Sequence, residues 1–428
     1  MSRFRLATAA LAATALVAAV AGTAANTQKA AVSGSISMIG IWTGPEQKSM
    51  QAVIDAFQKK FPGVKVKYTS GGDNTPTILS TAVQGGNPPD LAAVGQPGLV
   101  RDFASRNALK PITFARGTIA KNYTADWLKL GTVSGKLYGL VFKGANKSTV
   151  WYSVQAFKNA GVTPPKTFPA LAQAANTLKA SGTPAYSIGG ADGWTLTDLF
   201  ENIYIRQAGP AKYDLLAAHK IKWTDASVKA ALRTMAQIVG ASDSILGGTD
   251  GALQTDFATS VANVFSKPAK AAMIIEGDFV PGVGATSPAK PIVDYNVFDF
   301  PSVGGSPPAV VGGGDTVIMF KDSPAARAFV TYLATPEAAT VRARQGGFSS
   351  PNKNVKPSAY KDPLNRKTAL ALAQAKTFRF DLSDLQPSAF GGTVGQGLFK
   401  LFQDFVKSPS NVNGIAAEME AAAAKAYK

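Results

Sequence analysis

The sequence predicts an α/β protein built as two lobes with a ligand cleft between them. Strand and helix patterns alternate from Ser35 onward, which is typical of a mostly parallel sheet covered by helices. Two glycine-bearing extended stretches, residues 142–147 and 307–314, interrupt this alternation. If the chain passes between lobes at these stretches, each lobe is discontinuous in sequence. Ligand sites concentrate at such lobe boundaries.

The first helix is the best-marked element. The spacing of apolar residues from Met50 to Phe61 predicts an amphipathic helix. Thr43 and Glu46 have the spacing of a capping box, so we expect the two side chains to cap this helix. Pro62, followed by a glycine, should end it.

The remaining elements follow from the same signals. Strands are predicted over residues 36–41, 64–68, 91–94, 137–142, 149–152, 185–188, 271–275 and 310–320, the last interrupted by three glycines. Helices are predicted over residues 77–83, 99–103, 168–180, 228–239 and 415–427. Ser323 and Thr335 each precede a proline, so each should cap a helix.

Composition excludes several classes of function. The 428-residue chain has no cysteine and one histidine, His219. Disulfides, thiolate zinc sites, cysteine nucleophiles and lipid attachment to cysteine are therefore excluded, as are metal sites that need two histidines. The formal net charge is +17, but the lysines are scattered and no run of five basic residues occurs. A solvated basic surface is favoured over a nucleic-acid site.

The N-terminus has the pattern of a cleaved secretory signal. Arg3 and Arg5 precede an apolar run from Leu6 to Ala21, and small residues follow it. Residues 1–25 are therefore predicted to be a signal peptide, the alternative being a membrane anchor. We expect an exported, soluble protein, periplasmic or extracellular, and not a lipoprotein.

An ordered set of motifs resembles the extracellular solute-binding proteins of ABC importers, in the sugar-binding group that includes maltose-binding proteins. The resemblance covers essentially the whole chain after residue 25. It rests on residues 40–47, 61–66, 85–90, 96–98, 135–140, 150–152, 272–278, 313–315, 334–337, 346–352 and 378–384. Several relatives have tryptophan where this chain has Phe279, which weakens a stacking role at that position.

The resemblance implies a periplasmic-binding-protein-like architecture, with two lobes that close on a ligand about hinge crossovers. We expect lobe 1 to comprise residues 35–142 plus 310–334, and lobe 2 residues 147–307 plus 338–428. The implied partners are a sugar or oligosaccharide, an α-glucoside being one candidate, and the membrane permease subunits. No cofactor, metal or nucleic acid is expected, and the protein should be a monomer.

The candidate ligand-binding residues are polar or aromatic and mostly follow strands, where α/β sites form. Sugars pack their C–H faces on aromatic rings and need dense hydrogen bonding for their hydroxyls. The candidates are Trp42, Glu46, Asp73, Asn74, Gln96, Asn146, Lys147, Trp194, Glu276, Asp278, Gly314, Asp315 and Phe348.

Several of these residues have a competing structural interpretation. Trp42 could pack in the core, and Glu46 could only complete the helix cap. Phe348 could likewise be core. Trp194 lies in a glycine-rich polar segment with no obvious core to bury it, so we expect its ring to stack on the ligand.

The sequence therefore predicts a non-enzymatic sugar receptor without catalytic residues. A secreted carbohydrate-active enzyme is the main alternative, and it would need a matched pair of carboxylates. A receptor for a non-sugar solute is the second alternative.

Overall fold

The computed structural model describes Met1, residues 32–284 and residues 287–428. Beyond Met1, the predicted signal peptide lies outside these residues, so it stays a prediction. Within the described ranges, no helix combines the length and the apolar character that crossing a bilayer requires.

The strands confirm most of the sequence prediction. They are β1 (Gly34–Gly40), β2 (Val64–Ser70), β3 (Leu91–Val94), β4 (Thr132–Val133), β5 (Lys136–Leu137), β6 (Gly139–Asn146), β7 (Thr149–Ser153), β8 (Met273–Ile275), β9 (Tyr295–Asp299), β10 (Val310–Met319) and β11 (Phe378–Phe380).

The helices surround two larger sheets, and β4 and β5 form a separate two-stranded antiparallel sheet. They are α1 (Gly44–Lys60), α2 (Thr75–Gln84), α3 (Pro97–Ser105), α4 (Arg116–Asn122), α5 (Ala125–Leu130), α6 (Val154–Asn159), α7 (Phe168–Ala180), α8 (Trp194–Ala217), α9 (Ala226–Val239), α10 (Gly248–Gln254), α11 (Phe257–Phe265), α12 (Val280–Val283), α13 (Pro324–Leu333), α14 (Pro336–Ala343), α15 (Pro363–Ala373), α16 (Ser388–Gly391), α17 (Gly397–Lys407) and α18 (Val412–Ala426). Helix α8 is broken at Gly209, which has φ 80° and ψ 164° and precedes Pro210.

The first sheet has the order β11-β10-β3-β1-β2, and β6 also pairs with β10. Strands β1, β2 and β3 are parallel, as the βαβ pattern predicts, whereas β10 runs antiparallel to both β3 and β6. Apolar clusters cover both faces, with Phe57 of α1 and Phe329 of α13 on one and Phe103 of α3 on the other. This sheet is therefore a two-sided α/β layer.

The second sheet is small and antiparallel, with the order β8-β7-β9. Its core extends into a helical body in which Phe200 of α8, Trp223 and Phe402 of α17 are all fully buried. The two sheets and their separate cores confirm the two-lobed α/β architecture.

The chain crosses between the sheets near the predicted stretches. Strand β6 ends at Asn146 and β7 begins at Thr149, while β9 ends at Asp299 and β10 begins at Val310. However, β11 joins the first sheet beside β10, and α14 packs on α1 through a Lys60–Glu337 ion pair of 2.6 Å. Both elements therefore lie with the first sheet, although residues 338–428 were assigned to lobe 2. The bounds of the moving bodies stay a prediction.

Four local predictions differ from the structure. Thr43 makes no side-chain cap bond, and Glu46 pairs with Lys143 instead of completing a capping box. Residues 185–188 form only isolated bridges through Tyr186. The three glycines do not interrupt β10, because they pair with β6 in register. Trp194 begins helix α8 rather than lying in a loop.

Candidate ligand-binding cleft

A cavity of about 340 Å³ lies where the two sheets meet. We call it the cleft. Segments that follow β1, β2 and β3, with residues of β6 and β10, supply one wall, and the start of α8, the start of α11 and Phe279 supply the other. The residues that line it are Ile41, Thr43, Glu46, Gly72, Asp73, Pro76, Gly95, Gln96, Lys143, Ala145, Lys147, Asp192, Trp194, Asp256, Phe257, Ala258, Phe279, Val283, Gly314, Asp315, Ser383, Asp384, Gly392 and Phe399.

The cleft brings together many of the residues that the sequence singled out, although they are far apart in the chain. Those that line it are Glu46, Asp73, Gln96, Lys147, Trp194, Gly314 and Asp315. Gly314 fits only as glycine, because a Cβ there would lie 2.6 Å from the carbonyl oxygen of Lys143. These residues form the core of our candidate site.

Other candidates do not line the cleft. Trp42 is fully buried, and its Nε1 donates to Asp315 Oδ2 at 2.6 Å, so it positions that carboxylate from behind. Phe348 is also fully buried, packed against Phe142. For both aromatics the core interpretation matches the structure.

The remaining candidates also lie outside the cleft lining. Asn146 is buried at the crossing and accepts a hydrogen bond from the Ser148 amide at 3.0 Å. Glu276 and Asp278 are buried, and Asp278 accepts from the Ser349 hydroxyl. Asn74 is exposed. Direct ligand contacts by these residues stay unsupported predictions.

An ion-pair network of Lys143, Glu46 and Asp315 lies in the first wall of the cleft, and we call it the polar floor. Lys143 Nζ lies 2.6 Å from Glu46 Oε1 and 3.4 Å from Asp315 Oδ2. Burial would lower the pKa of Lys143, but Asp315 and Glu46 together raise it above its usual value. The lysine therefore stays charged and fixes both carboxylates as hydrogen-bond acceptors toward the cleft.

A second network surrounds Lys147 at the crossing. Its Nζ lies 3.0 Å from Asp198 Oδ1 and 2.5 Å from Asp381 Oδ2. Burial would raise the pKa of Asp381, but Lys147 holds it at about 2. By contrast, burial raises the pKa of Asp198 well above its usual value despite Lys147. One buried cation thus ties α8 to the segment after β11.

The carboxylates of Asp198, Glu201 and Asp381 lie close enough together to suggest a metal site. Most of their oxygens are already engaged, although Asp198 Oδ2 is buried without a partner among the described residues. Asp198 and Asp381 bind the Lys147 ammonium, and Glu201 accepts from the amides of Leu382 and Ser383. The ammonium supplies the positive charge that such a cluster needs, so we assign no metal here.

Three aromatic rings form the second wall. Trp194 lies edge-on to Phe257 with ring centroids 4.9 Å apart, and Phe279 lies 6.0 Å from Trp194. Lys147 Nζ lies 5.5 Å from the Trp194 ring centroid, and Lys143 Nζ lies 5.0 Å from that of Phe279. The rings offer an apolar face opposite the polar floor.

Sequence reasoning missed several residues of this cleft. Lys143, Asp192, Phe257 and Asp384 were not among the candidates, although Lys143 and Asp384 lie in segments that the sequence analysis noted, and the role of Phe279 was weakened. Burial raises the pKa of Asp192 to about 6, with further contributions from the nearby carboxylates of Asp73 and Asp256. Asp192 could have been found, because it lies in the same glycine-rich segment as Trp194.

The cleft between two α/β lobes, with its polar floor and aromatic wall, is the arrangement of a solute receptor. Residues 42–340 match the family model of the bacterial extracellular solute-binding proteins. The chain belongs to this family, which confirms the resemblance seen in the sequence.

Two similar proteins with assigned ligands match nearly the full chain. One is the osmoprotective compounds-binding protein GgtB of Synechocystis sp., 33% identical over 374 residues, 85% of this chain and 87% of GgtB. The other is the alpha-glucosides-binding periplasmic protein AglE of Rhizobium meliloti, 33% identical over 407 residues, 90% of this chain and 86% of AglE.

Solved structures show the same fold at lower identity. The bacterial solute receptor AcbH, which has an exclusive preference for β-D-galactopyranose, superposes with a TM-score of 0.81 at 18% identity, covering 93% of this chain and 100% of AcbH. A chitin oligosaccharide binding protein superposes with a TM-score of 0.78 at 21% identity, covering 92% of this chain and 99% of that one.

Proposed function

We propose that this protein captures a sugar or short oligosaccharide and delivers it to the permease of an ABC importer. The observation that carries this proposal is the cleft itself, in which fixed carboxylates face an aromatic wall. An α-glucoside is the first candidate ligand, supported by the similarity to AglE.

The polar floor would bind the hydroxyl groups of the sugar. Glu46 and Asp315 are held by Lys143 at 2.6 and 3.4 Å, so little side-chain entropy is lost when they accept hydrogen bonds from a ligand. Gln96, whose Oε1 is buried without a partner among the described residues, supplies another acceptor at the same wall. A ligand hydroxyl would satisfy that oxygen.

Trp194 would stack on a face of the sugar ring. Its indole lies against Phe257 and Phe279, which orient it toward the cleft. Lobe closure then buries the ligand between the two walls and shifts the protein toward its closed arrangement. The permease would recognise that closed, liganded form.

The same proposal covers location and assembly. The protein would be exported by its signal peptide and act as a soluble monomer, without a lipid anchor because the chain has no cysteine. As a receptor it would bind its ligand and leave it intact. Recovery of an unchanged oligosaccharide after prolonged incubation supports this, and cleavage products would favour the enzyme alternative.

A thermal-shift screen against mono- and oligosaccharides tests the proposed ligand class. A ligand present at 100 times its Kd stabilises the folded protein by about 2.7 kcal/mol, so we expect a matching sugar to raise Tm by several degrees. Trehalose, sucrose and maltose serve as the α-glucoside arm, and amino acids and polyamines serve as the non-sugar arm. A shift confined to the non-sugar arm would remove the sugar assignment.

Small-angle scattering tests lobe closure. We expect the radius of gyration to fall when saturating ligand is added, because the lobes rotate about the segments near residues 142–147, 307–312 and 334–338. A variant with weakened ligand affinity at the same concentration is the control. An unchanged radius with ligand demonstrably bound would count against hinge closure.

A further inference from the structure

A second cavity, of about 1010 Å³, lies beside the same crossings as the cleft. We call it the rear cavity. Its lining residues come from the segment before α7, from α8, from the β9–β10 connection and from α15 with the segment after it. They include Lys166, Arg206, Asp299, Pro307, Lys367 and Lys376.

The rear cavity and the cleft lie on opposite sides of the first crossing. Lys147 lines the cleft, whereas its neighbours Asn146 and Ser148 line the rear cavity. Successive side chains of an extended segment point to opposite faces, so the two cavities lie on opposite faces of this segment and only its backbone separates them there. Strand β10 also borders both cavities, with Val310 at the rear cavity and Gly314, further along the strand, at the cleft.

Arg206 is an unusual buried cation in the wall of the rear cavity. It is only 7% exposed, and among the described residues no carboxylate lies within ion-pair distance of it. Its Nη1 donates to Asn202 O at 3.0 Å, and its Nη2 donates to Ala309 O at 2.7 Å. Burial lowers the pKa of Arg206 to about 10.

The other buried cations among the described residues differ from Arg206 in having acidic partners. Lys143 and Lys147 each pair with two carboxylates, and Arg342 lies 3.8 Å from Glu46 Oε1. A desolvated cation without a carboxylate partner is costly unless an anion can reach it. Among the described residues, Arg206 thus has no carboxylate at ion-pair distance, and only Asp299 acts on it from further away.

The remaining charges around the rear cavity also favour an anionic ligand. Exposed Lys166, Lys367 and Lys376 surround it, and Asp299 is the one acidic residue among those that line it. Phe298 and Phe300 supply apolar wall. From this composition we propose that the rear cavity binds a small oxyanion, a phosphate or carboxylate carried on a compact organic body.

Binding there is expected to be coupled to lobe closure. In this structure the two walls of the cleft are in contact, since Lys143 Nζ lies 5.0 Å from the Phe279 ring centroid. Rotation about the crossings that opens the cleft would narrow a cavity on their other side. An anion in the rear cavity would therefore oppose opening and favour the closed arrangement.

The direct test uses the full chain without any sugar, so its outcome does not depend on the proposed function. We expect inorganic phosphate and citrate, titrated calorimetrically, to bind with one-to-one stoichiometry, and to raise Tm beyond the effect of sodium chloride at equal ionic strength. Comparing the two anions distinguishes a phosphate from a carboxylate preference. Shifts no larger than those of chloride would overturn the proposal.

Variants localise the site. Lys166→Gln with Lys376→Gln should weaken anion binding about fivefold or more, because both side chains are exposed and their loss leaves the fold intact. The matched control, Lys59→Gln with Lys65→Gln, removes the same charge from exposed positions outside the rear-cavity lining and should leave binding unchanged. Equal weakening in both double variants would show only general charge attraction.

Arg206→Gln should weaken anion binding about tenfold or more, since hydrogen bonds to charged groups contribute most. The Arg206 side chain also donates to Asn202 and Ala309, so the Tm of Arg206→Gln is measured in parallel. If Arg206→Gln does not fold, the double lysine variant provides the test. Coupling is read from scattering, where saturating phosphate should lower the radius of gyration. An increased radius would overturn the predicted direction of coupling.

Discussion

Replacing Lys147 by methionine is expected to lower the free energy of unfolding by about 3–5 kcal/mol, because it leaves buried carboxylates without their cation. Methionine keeps the length of the side chain but removes the ammonium that lies 3.0 Å from Asp198 and 2.5 Å from Asp381. Both acids are almost completely buried, so water cannot replace the lost partner. Chemical denaturation at pH 7 measures the loss.

The deficit should shrink as the pH falls. In the native protein Lys147 holds the pKa of Asp381 at about 2, below the ordinary value for an aspartate. The Lys147–Asp381 pair therefore stabilises the folded protein at any pH above that ordinary pKa. This stabilisation is lost as the pH falls through about 2. Without Lys147, the largest influence that lowers the pKa of Asp381 is gone and burial raises it relative to the native protein. Protonation of Asp381 therefore relieves the variant at a pH where the native carboxylate is still ionised.

An exposed lysine provides the matched control. Lys179 pairs with Asp243 at 2.7 Å, but the two side chains are 38% and 68% exposed. Lys179→Met should therefore cost less than about 1 kcal/mol. If Lys147→Met were no more destabilising than Lys179→Met, the buried network would not hold the crossing together.

The local elements of the fold were predictable because their signals lie within a few residues. Ser323 and Thr335 cap α13 and α14 through their side chains, as their positions before proline predict. Strand β3 was predicted at its observed bounds, since its short apolar run is followed directly by a proline-initiated helix. Such signals need no knowledge of the tertiary fold.

The contacts that define the cleft were not predictable in the same way. Glu46 has the spacing of a capping residue, but it pairs with Lys143, 97 residues away, because β10 and β6 place that lysine beside α1. No local pattern encodes this pairing. The ion pair outweighed the cap, since weakening the compensation of the buried Lys143 charge costs more than one unmade cap bond.

The two tryptophans show how tertiary context decides a role. Both Trp42 and Trp194 follow short polar or glycine-bearing segments in the sequence. Trp42 is covered completely by the first-sheet core and reaches the site only through Asp315, whereas Trp194 lines the cleft. The sequence indicated a ligand contact at both tryptophans. Only the tertiary structure, in which α8 places the Trp194 ring at the cleft, shows which of the two can contact the ligand.

Replacing Trp194 by alanine is expected to weaken ligand binding about tenfold or more while leaving the fold intact. Stacking on a sugar face and burial of the ring's apolar area each contribute on the order of 1 kcal/mol, and tenfold in Kd corresponds to about 1.4 kcal/mol. Trp194 is only half-buried and begins α8 after Gly193, so its truncation removes cleft wall rather than core. Trp194→Phe should recover part of the affinity.

Trp223→Ala is the contrasting control, because Trp223 is fully buried beside Phe200 in the second core. Its truncation should cost about 3–5 kcal/mol of stability, with near-normal affinity in the protein that remains folded. Measuring Tm and affinity for both variants separates a ligand contact from a core residue. A Trp194→Ala protein that loses stability as Trp223→Ala does, yet binds normally, would place Trp194 in the core and remove the aromatic wall from the proposed site.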